Sequence, residues 1–196
     1  MNILYEPFPV SITADGHEYT VLTDFREWLR FAEMMTDKSI AAEERAFLCG
    51  MWISPEPDVI TAEMVTGLLG FYRGDGLTPI IDNQDDEDEE PPEPEPPKPP
   101  TFDWNVDARF VLGDFRRYYG IDLTNVKYLH WWHFLSLFTA LPDDSQCMKR
   151  IAYRSVNLSE IKDKRERTRI AKIQRQIALP FEFDDEMIGA ALWNMQ

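Results

Sequence analysis

Cysteine is scarce in this sequence. Cys49 and Cys147 are the two in 196 residues, far apart and without a Cys-x-x-Cys spacing. That pattern excludes a disulfide framework and a thiolate zinc site, and it fits free thiols in a reducing compartment. Bases are outnumbered: 20 Lys and Arg stand against 35 Asp and Glu, for a net charge of −15. Such an excess disfavours general nucleic-acid binding and favours solubility. Long uncharged runs are missing too. The longest extends from Tyr128 to Pro142, too short to cross a bilayer as a helix. The first ten residues, MNILYEPFPV, lack a basic stretch followed by an apolar one, so no signal peptide is expected. The glycines of GLLGFYRGDG, residues 67–76, end a helix rather than begin one, and no Gly-Lys-Ser/Thr follows them. This excludes a phosphate loop. No nucleophile elbow, HExxH or recognisable Cys-His spacing occurs, so an enzyme is the least expected class and no cofactor is expected.

Hydrophobic residues reach 44% and aromatics 13%, enough for a real core. Val10–Thr13 and His17–Val21 alternate as strands around Ala14-Asp15-Gly16, a tight hairpin. Asp24 and Glu27 have capping-box spacing, and Phe25, Trp28, Leu29, Ala32 and Met35 form one apolar stripe. Further helices are expected from about Ile40 to Ile53, through Ala46, Phe47, Leu48 and Met51, and from about Asp58 to Tyr72. Asp85 to Glu90 is six consecutive acids, and Pro91 to Pro100 holds seven of the fourteen prolines. Repulsion and the missing proline donors make this a solvated, extended linker. Beyond it, Val111, Phe115 and Tyr118 share a helical face ending at Gly120; Asp143 or Asp144 caps a helix through Met148; and a basic helix starts near Ser159 and Asp163 and reaches about Ala178. The expectation is a mainly α chain: an N-terminal hairpin-plus-helices domain over 1–81, an acidic Pro-rich linker over 82–100, a C-terminal helical bundle over 101–179, and a tail over 180–196.

The densest aromatic stretch is YLHWWHFLSLF, residues 128–138. His130 and His133 lie three apart and share a helix face, but a metal needs three or four ligands and only Cys147 is near in sequence. A helix apolar on nearly every side belongs at the centre of a bundle. Trp28, Phe115, Tyr118, Trp131, Trp132, Leu135 and Phe138 are therefore the expected core, with the histidines at its polar margin.

From Met148 to Arg175 ten bases face three acids, while the acidity sits elsewhere: net −9 over 1–84, −7 over 85–100 and +1 over 101–196. The basic stretch is either a solvated face or a partner-binding surface; for nucleic acid it lacks stacking aromatics beyond Tyr153. Its apolar stripe is thin from Lys162 to Arg169 and returns at Ile170, Ile173 and Ile177, so the helix is weakly held by its own domain. Lys162, Arg165, Arg167, Arg169, Lys172 and Arg175 are the candidate contact residues, with Met187, Ile188, Leu192 and Trp193 of the tail. The acidic run and the basic helix are opposite in sign, and loose association between them, displaced by a partner, is a further expectation.

TDFREWLRF (23–31), FRRYYGIDL (115–123), LHWWHFLSL (129–137) and YRSVNLSEI (153–161) occur in that order. Together they resemble the bacteriophage gene product fifteen family of siphophage and prophage tail modules from Gram-positive hosts. Members lie near the tape-measure gene. The resemblance implies a tail assembly chaperone without enzyme activity, acting in the host cytoplasm and absent from the finished virion. It also implies the tape-measure protein as partner, with the tail tube protein as a second. A nucleic-acid-binding phage factor using residues 149–175, or a minor structural tail component, are the alternatives.

Overall fold

A computed structural model of the chain describes residues 2–77 and 99–180. Among them are seven α-helices and one three-stranded antiparallel sheet, ordered β1-β2-β3. β1 (Ser11–Ala14) and β2 (His17–Val21) pair from Ser11↔Thr20 to Ala14↔His17. Asp15 (φ 51°) and Gly16 (φ 74°) both take the left-handed turn conformation that matches strand twist. The third strand, β3 (Ile53–Ser54), pairs with β2 through Val21↔Ile53. It lies where the sequence pattern extends a helix. α2 (Ala42–Leu48) in fact ends early, passes into a 3-10 turn at Cys49–Trp52, and buries none of its own residues. Trp52 and Ile53 are buried instead, which draws the chain out of the helix and onto the sheet.

α1 (Phe25–Thr36) starts at Asp24, whose carboxylate accepts from the Arg26 amide, and it buries Phe25, Trp28, Phe31 and Ala32. α3 (Ala62–Arg73) is capped by Thr61 and stops at Gly74, left-handed at φ 74°. Gly67 lets α3 sit directly on β1: a Cβ there would lie 3.2 Å from the Ile12 side chain.

The described residues form two compact units, 2–77 with 121–140 and 99–120 with 141–180. The aromatic segment thus belongs with the N-terminal unit, not with the C-terminal bundle in which chain order would place it. Two backbone bonds hold it there, Phe25 N–H to Leu129 O (2.9 Å) and Trp131 N–H to Thr23 O (2.7 Å). α5 (Trp131–Thr139) then buries Trp131, Trp132 and Phe134. The Trp131 and Trp132 indoles donate to Tyr72 O and Phe71 O, each at 2.8 Å. Those carbonyls lie in the last turn of α3, where acceptors lack the next turn's amides; Phe71 O also accepts from the Gly74 amide at 3.2 Å. Trp28 and Trp52 likewise donate to Leu22 O (2.7 Å) and Glu27 O (2.8 Å), so large rings enter the core without stranding an N–H. Trp28 stacks on Phe71 at 4.7 Å and Phe25 on Phe134 at 5.0 Å.

In the second unit, α4 (Ala108–Asp114) continues into a π-turn at Phe115–Tyr119 and ends at left-handed Gly120. α6 (Gln146–Ser155) and α7 (Lys164–Ile177) follow. Ser145, rather than Asp143 or Asp144, caps α6. Asp114 reaches across from α4 to accept from the Gln146 and Cys147 amides (3.2 and 2.8 Å), completing that cap. Of the expected core residues, Trp28, Phe115, Trp131 and Trp132 are buried, while Tyr118, Leu135 and Phe138 are half-buried. Tyr118 sits on the wide π-turn, where its hydroxyl reaches Asp144 (3.3 Å) and Arg117 lies over its ring.

Candidate functional site

α7, the longest helix among the described residues at 14 residues, buries little for its length. Asp163 caps it, accepting from the Arg165 amide at 2.8 Å. Ile170 is its one buried residue, with Ile173 and Ile177 half-buried. Polar ties to α6 supply the rest. Gln174 donates to Tyr153 O (2.8 Å) and Val156 O (2.9 Å), and Arg154 Nε donates to Ile177 O (2.8 Å). Arg154 is itself fixed by two bonds to the Asp107 carboxylate (2.5 and 2.9 Å) and one to Thr101 O (3.0 Å). Asp107 is fully buried, and the Arg154 side chain is 5% exposed.

Lys162, Arg165, Arg167, Arg169, Lys172 and Arg175 are all exposed. At 3.6 residues per turn, Lys164, Arg165, Lys172 and Arg175 fall on the side opposite Ile170, Ile173 and Ile177, with no acid among them, while Arg169 flanks the apolar stripe. Glu166 lies toward the apolar side and holds Arg169 in two bonds (2.8 and 2.6 Å). That contact lowers the Glu166 carboxyl's pKa and raises that of the guanidinium. Among the described residues, no acid pairs with Lys164, Arg165, Lys172 or Arg175. Met187, Ile188, Leu192 and Trp193 lie outside the described residues, as does the Asp85–Glu90 run.

The two histidines separate in role. His130 caps α5: its Nδ1 accepts from the Trp132 amide (3.1 Å), so Nε2 carries the proton and donates to Pro9 O (2.9 Å). Burial holds its pKa below the ordinary value; the Pro9 bond opposes this, and His133 adds to it. His133 is exposed, and Phe8 stacks against both rings at 5.0 and 6.0 Å. Among the described residues, no three His, Cys, Asp or Glu side chains are grouped to hold a metal ion. Both cysteines are free and buried, and burial raises both thiol pKa values, at Cys147 with help from Asp114. They are inert thiols rather than nucleophiles.

An open groove of about 180 Å³ runs between β1 and α3, past Ile12, Gly67, Phe71 and Trp132. Its carboxylate, Asp75, is taken by Arg73 (3.1 and 2.9 Å), so the groove offers packing surface and no poised acid. No helix among the described residues is long and apolar enough to cross a membrane.

Two surfaces escape the sequence pattern. Phe47, Met51 and Val59 are 64%, 58% and 71% exposed, the first two in the stretch where the sequence pattern expects a helix through Ala46, Phe47, Leu48 and Met51. Phe110 meets two arginines, Arg109 beside it on α4 and Arg150 from α6, a pairing that no motif marks.

The shared motifs serve the fold. Asp24 and Arg26 from the first pair bidentately (3.1 Å each), and Arg26 also donates to Val126 O and, at 3.4 Å, to Leu123 O of the second. The third supplies His130 and the tryptophans, and the fourth supplies Arg154. Comparison with curated proteins gives no match, and comparison with solved structures gives none. The model of one family, described as Bacteriophage Gp15 protein, matches residues 4–179. With nearly the whole chain covered and its motifs built into both units, this protein belongs to the Bacteriophage Gp15 protein family.

Proposed function

We propose that this chain is a non-enzymatic tail assembly chaperone that binds the tape-measure protein while the tail tube assembles around it. The reading rests on the family and on the genomic company its members keep. The structural observation that carries it is α7: a helix held by one buried isoleucine and a few polar ties, presenting a face of one sign to solvent. A helix so little used by its own unit is available to another chain. Exposed Phe47, Met51 and Val59 add apolar side chains that can cover a stripe on a long helical partner. The net charge of −15 keeps such a complex soluble. On this reading the protein acts in the host cytoplasm and leaves before the virion is complete.

Co-expression with the neighbouring tape-measure protein tests this. The expected result is a soluble complex that co-purifies, with the chaperone missing from mass spectra of finished particles. A tape measure that aggregates with no bound partner contradicts the reading, and recovery of the chain in purified particles favours a structural tail component. The basic face of α7 also admits nucleic acid. Duplex-DNA affinity that falls steeply with salt, without any tape-measure complex, would favour that alternative.

A further inference from the structure

β1 is an edge strand: β2 covers one side of it, and among the described residues no strand covers the other. The ladder fixes which of its groups face out. Val21 N–H donates to Val10 O (2.9 Å), and bonded pairs recur at every second residue of an antiparallel ladder. Ile12 and Ala14 are therefore bonded to Tyr19 and His17, while the N–H and C=O of Ser11 and Thr13 point away from β2. Among the described residues nothing bonds to these outward groups. An edge of this kind is a template for a further strand.

Ser11 and Thr13 both line the open groove between β1 and α3. Gly67, Gly70 and Gly76 line it without side chains, and Ile12, Phe71 and Trp132 make it apolar. Side chains of an added strand would alternate as those of β1 do. Residues opposite Ile12 would share its face, on the side of Gly67 and α3. Residues opposite Ser11 and Thr13 would share the other face with Glu18, the cross-strand partner of Thr13, whose carboxylate accepts from the Ser11 hydroxyl (2.5 Å). Glu18 is exposed, as are Asp15 of the hairpin turn and Glu63, which accepts from the Asp15 amide (2.6 Å). Among the described residues no base pairs with any of the three.

We propose that the free edge of β1 takes up an extended segment of a basic partner polypeptide as a fourth strand, with apolar residues on the α3 side and Lys or Arg on the Glu18 side. Backbone bonds to Ser11 and Thr13 give the affinity, and the alternating side chains give the selectivity. Charge decides the occupant. Residues 78–98 and 181–196 of this chain are acidic, and a second copy brings the same acids to the same edge. Each of these is repelled where a basic strand is attracted. The edge belongs to the N-terminal unit and does not depend on what α7 binds.

The test is a titration of the full chain with a capped peptide of alternating lysine and valine, followed by calorimetry and by amide hydrogen exchange in NMR spectra. The peptide should bind, more weakly as salt rises. It should slow exchange of the Ser11 and Thr13 amides, while those of Ile12 and Ala14, already bonded, change little. N-methylation of its lysine amides, the ones facing β1, should weaken binding at least about tenfold, and N-methylation of its valine amides should not. A glutamate–valine peptide should not bind. Thr13→Pro removes an outward donor and no ladder bond, so it should weaken binding about tenfold with little change in Tm. The methylated peptides keep the test decisive if that variant folds poorly. Equal binding of the two methylated peptides overturns strand addition, as does binding that leaves the Ser11 and Thr13 amides unprotected, or no binding of the parent peptide. A glutamate–valine peptide that binds as tightly overturns the basic partner. Slow exchange of both amides in the free monomer would assign the edge to a segment of this chain, and self-association abolished by Thr13→Pro would assign it to a second copy. Either result overturns the proposal.

Discussion

His130 shows how a residue that looks like a ligand can be a structural cap. Its two nitrogens are committed, one accepting from the Trp132 amide and one donating to Pro9 O. A second proton on Nδ1 would face an N–H and break the cap. Its folded pKa is depressed, so the unfolded chain takes up the proton first. Stability from this group is complete above about pH 6.5, the unfolded value, and is lost as pH falls through the folded one. His130→Ala should cost about 1–2 kcal/mol at neutral pH. It should also flatten the decline between neutral and mildly acidic pH, as followed by urea denaturation. Parallel pH profiles for the two proteins would reject this role. Asp107 is the second residue of this kind. Removing it strands a nearly buried guanidinium, so Asp107→Ala should cost about 3–5 kcal/mol. Asp107→Asn keeps one acceptor and should cost less. Equal, small losses in chemical denaturation would show that the pair does not hold the unit together.

At the scale of elements, α2 carries a clear defect. It starts at Ala41, extended at φ −63° and ψ 153°, with no side chain to meet the free amides. Ala41→Ser should add about 0.5–1 kcal/mol, read as a higher Tm. A lower Tm would mean that the amides are already satisfied. α2 also shows where sequence reading stops. The hairpin, α1 and α7 announce themselves, because Asp15-Gly16, the Asp24 cap and the Asp163 cap are local signals. The early end of α2 is not local: Trp52 and Ile53 leave the helix for contacts with β2 and Glu27, far apart in sequence. The placement of α5 is equally non-local. Its tryptophans are plainly core residues from composition, but that their indoles close the end of α3 depends on a partner some sixty positions away. For the candidate surface, the basic residues of α7 were legible because charge on a thin-striped helix points outward. The Phe110 cluster was not, since it unites α4 with α6 and no spacing predicts that.

For the whole molecule, the distribution of charge matters more than its sum. A chain of net −15 keeps an acid-free basic face on α7. If the acidic run competes for that face, deleting Asp85–Glu90 should raise affinity for an acidic partner, most at low salt. Unchanged affinity would reject the competition. The four motifs tie the backbone together, while α7 and α2 leave much of their side-chain surface exposed. We propose that this protein works by presenting helical surface to another polypeptide. Hydrogen–deuterium exchange of the full chain, alone and with the tape-measure protein, tests it most directly. Exchange across α7, Lys164–Ile177, should slow in the complex. A stable complex in which α7 exchanges as fast as in the free chain would contradict it.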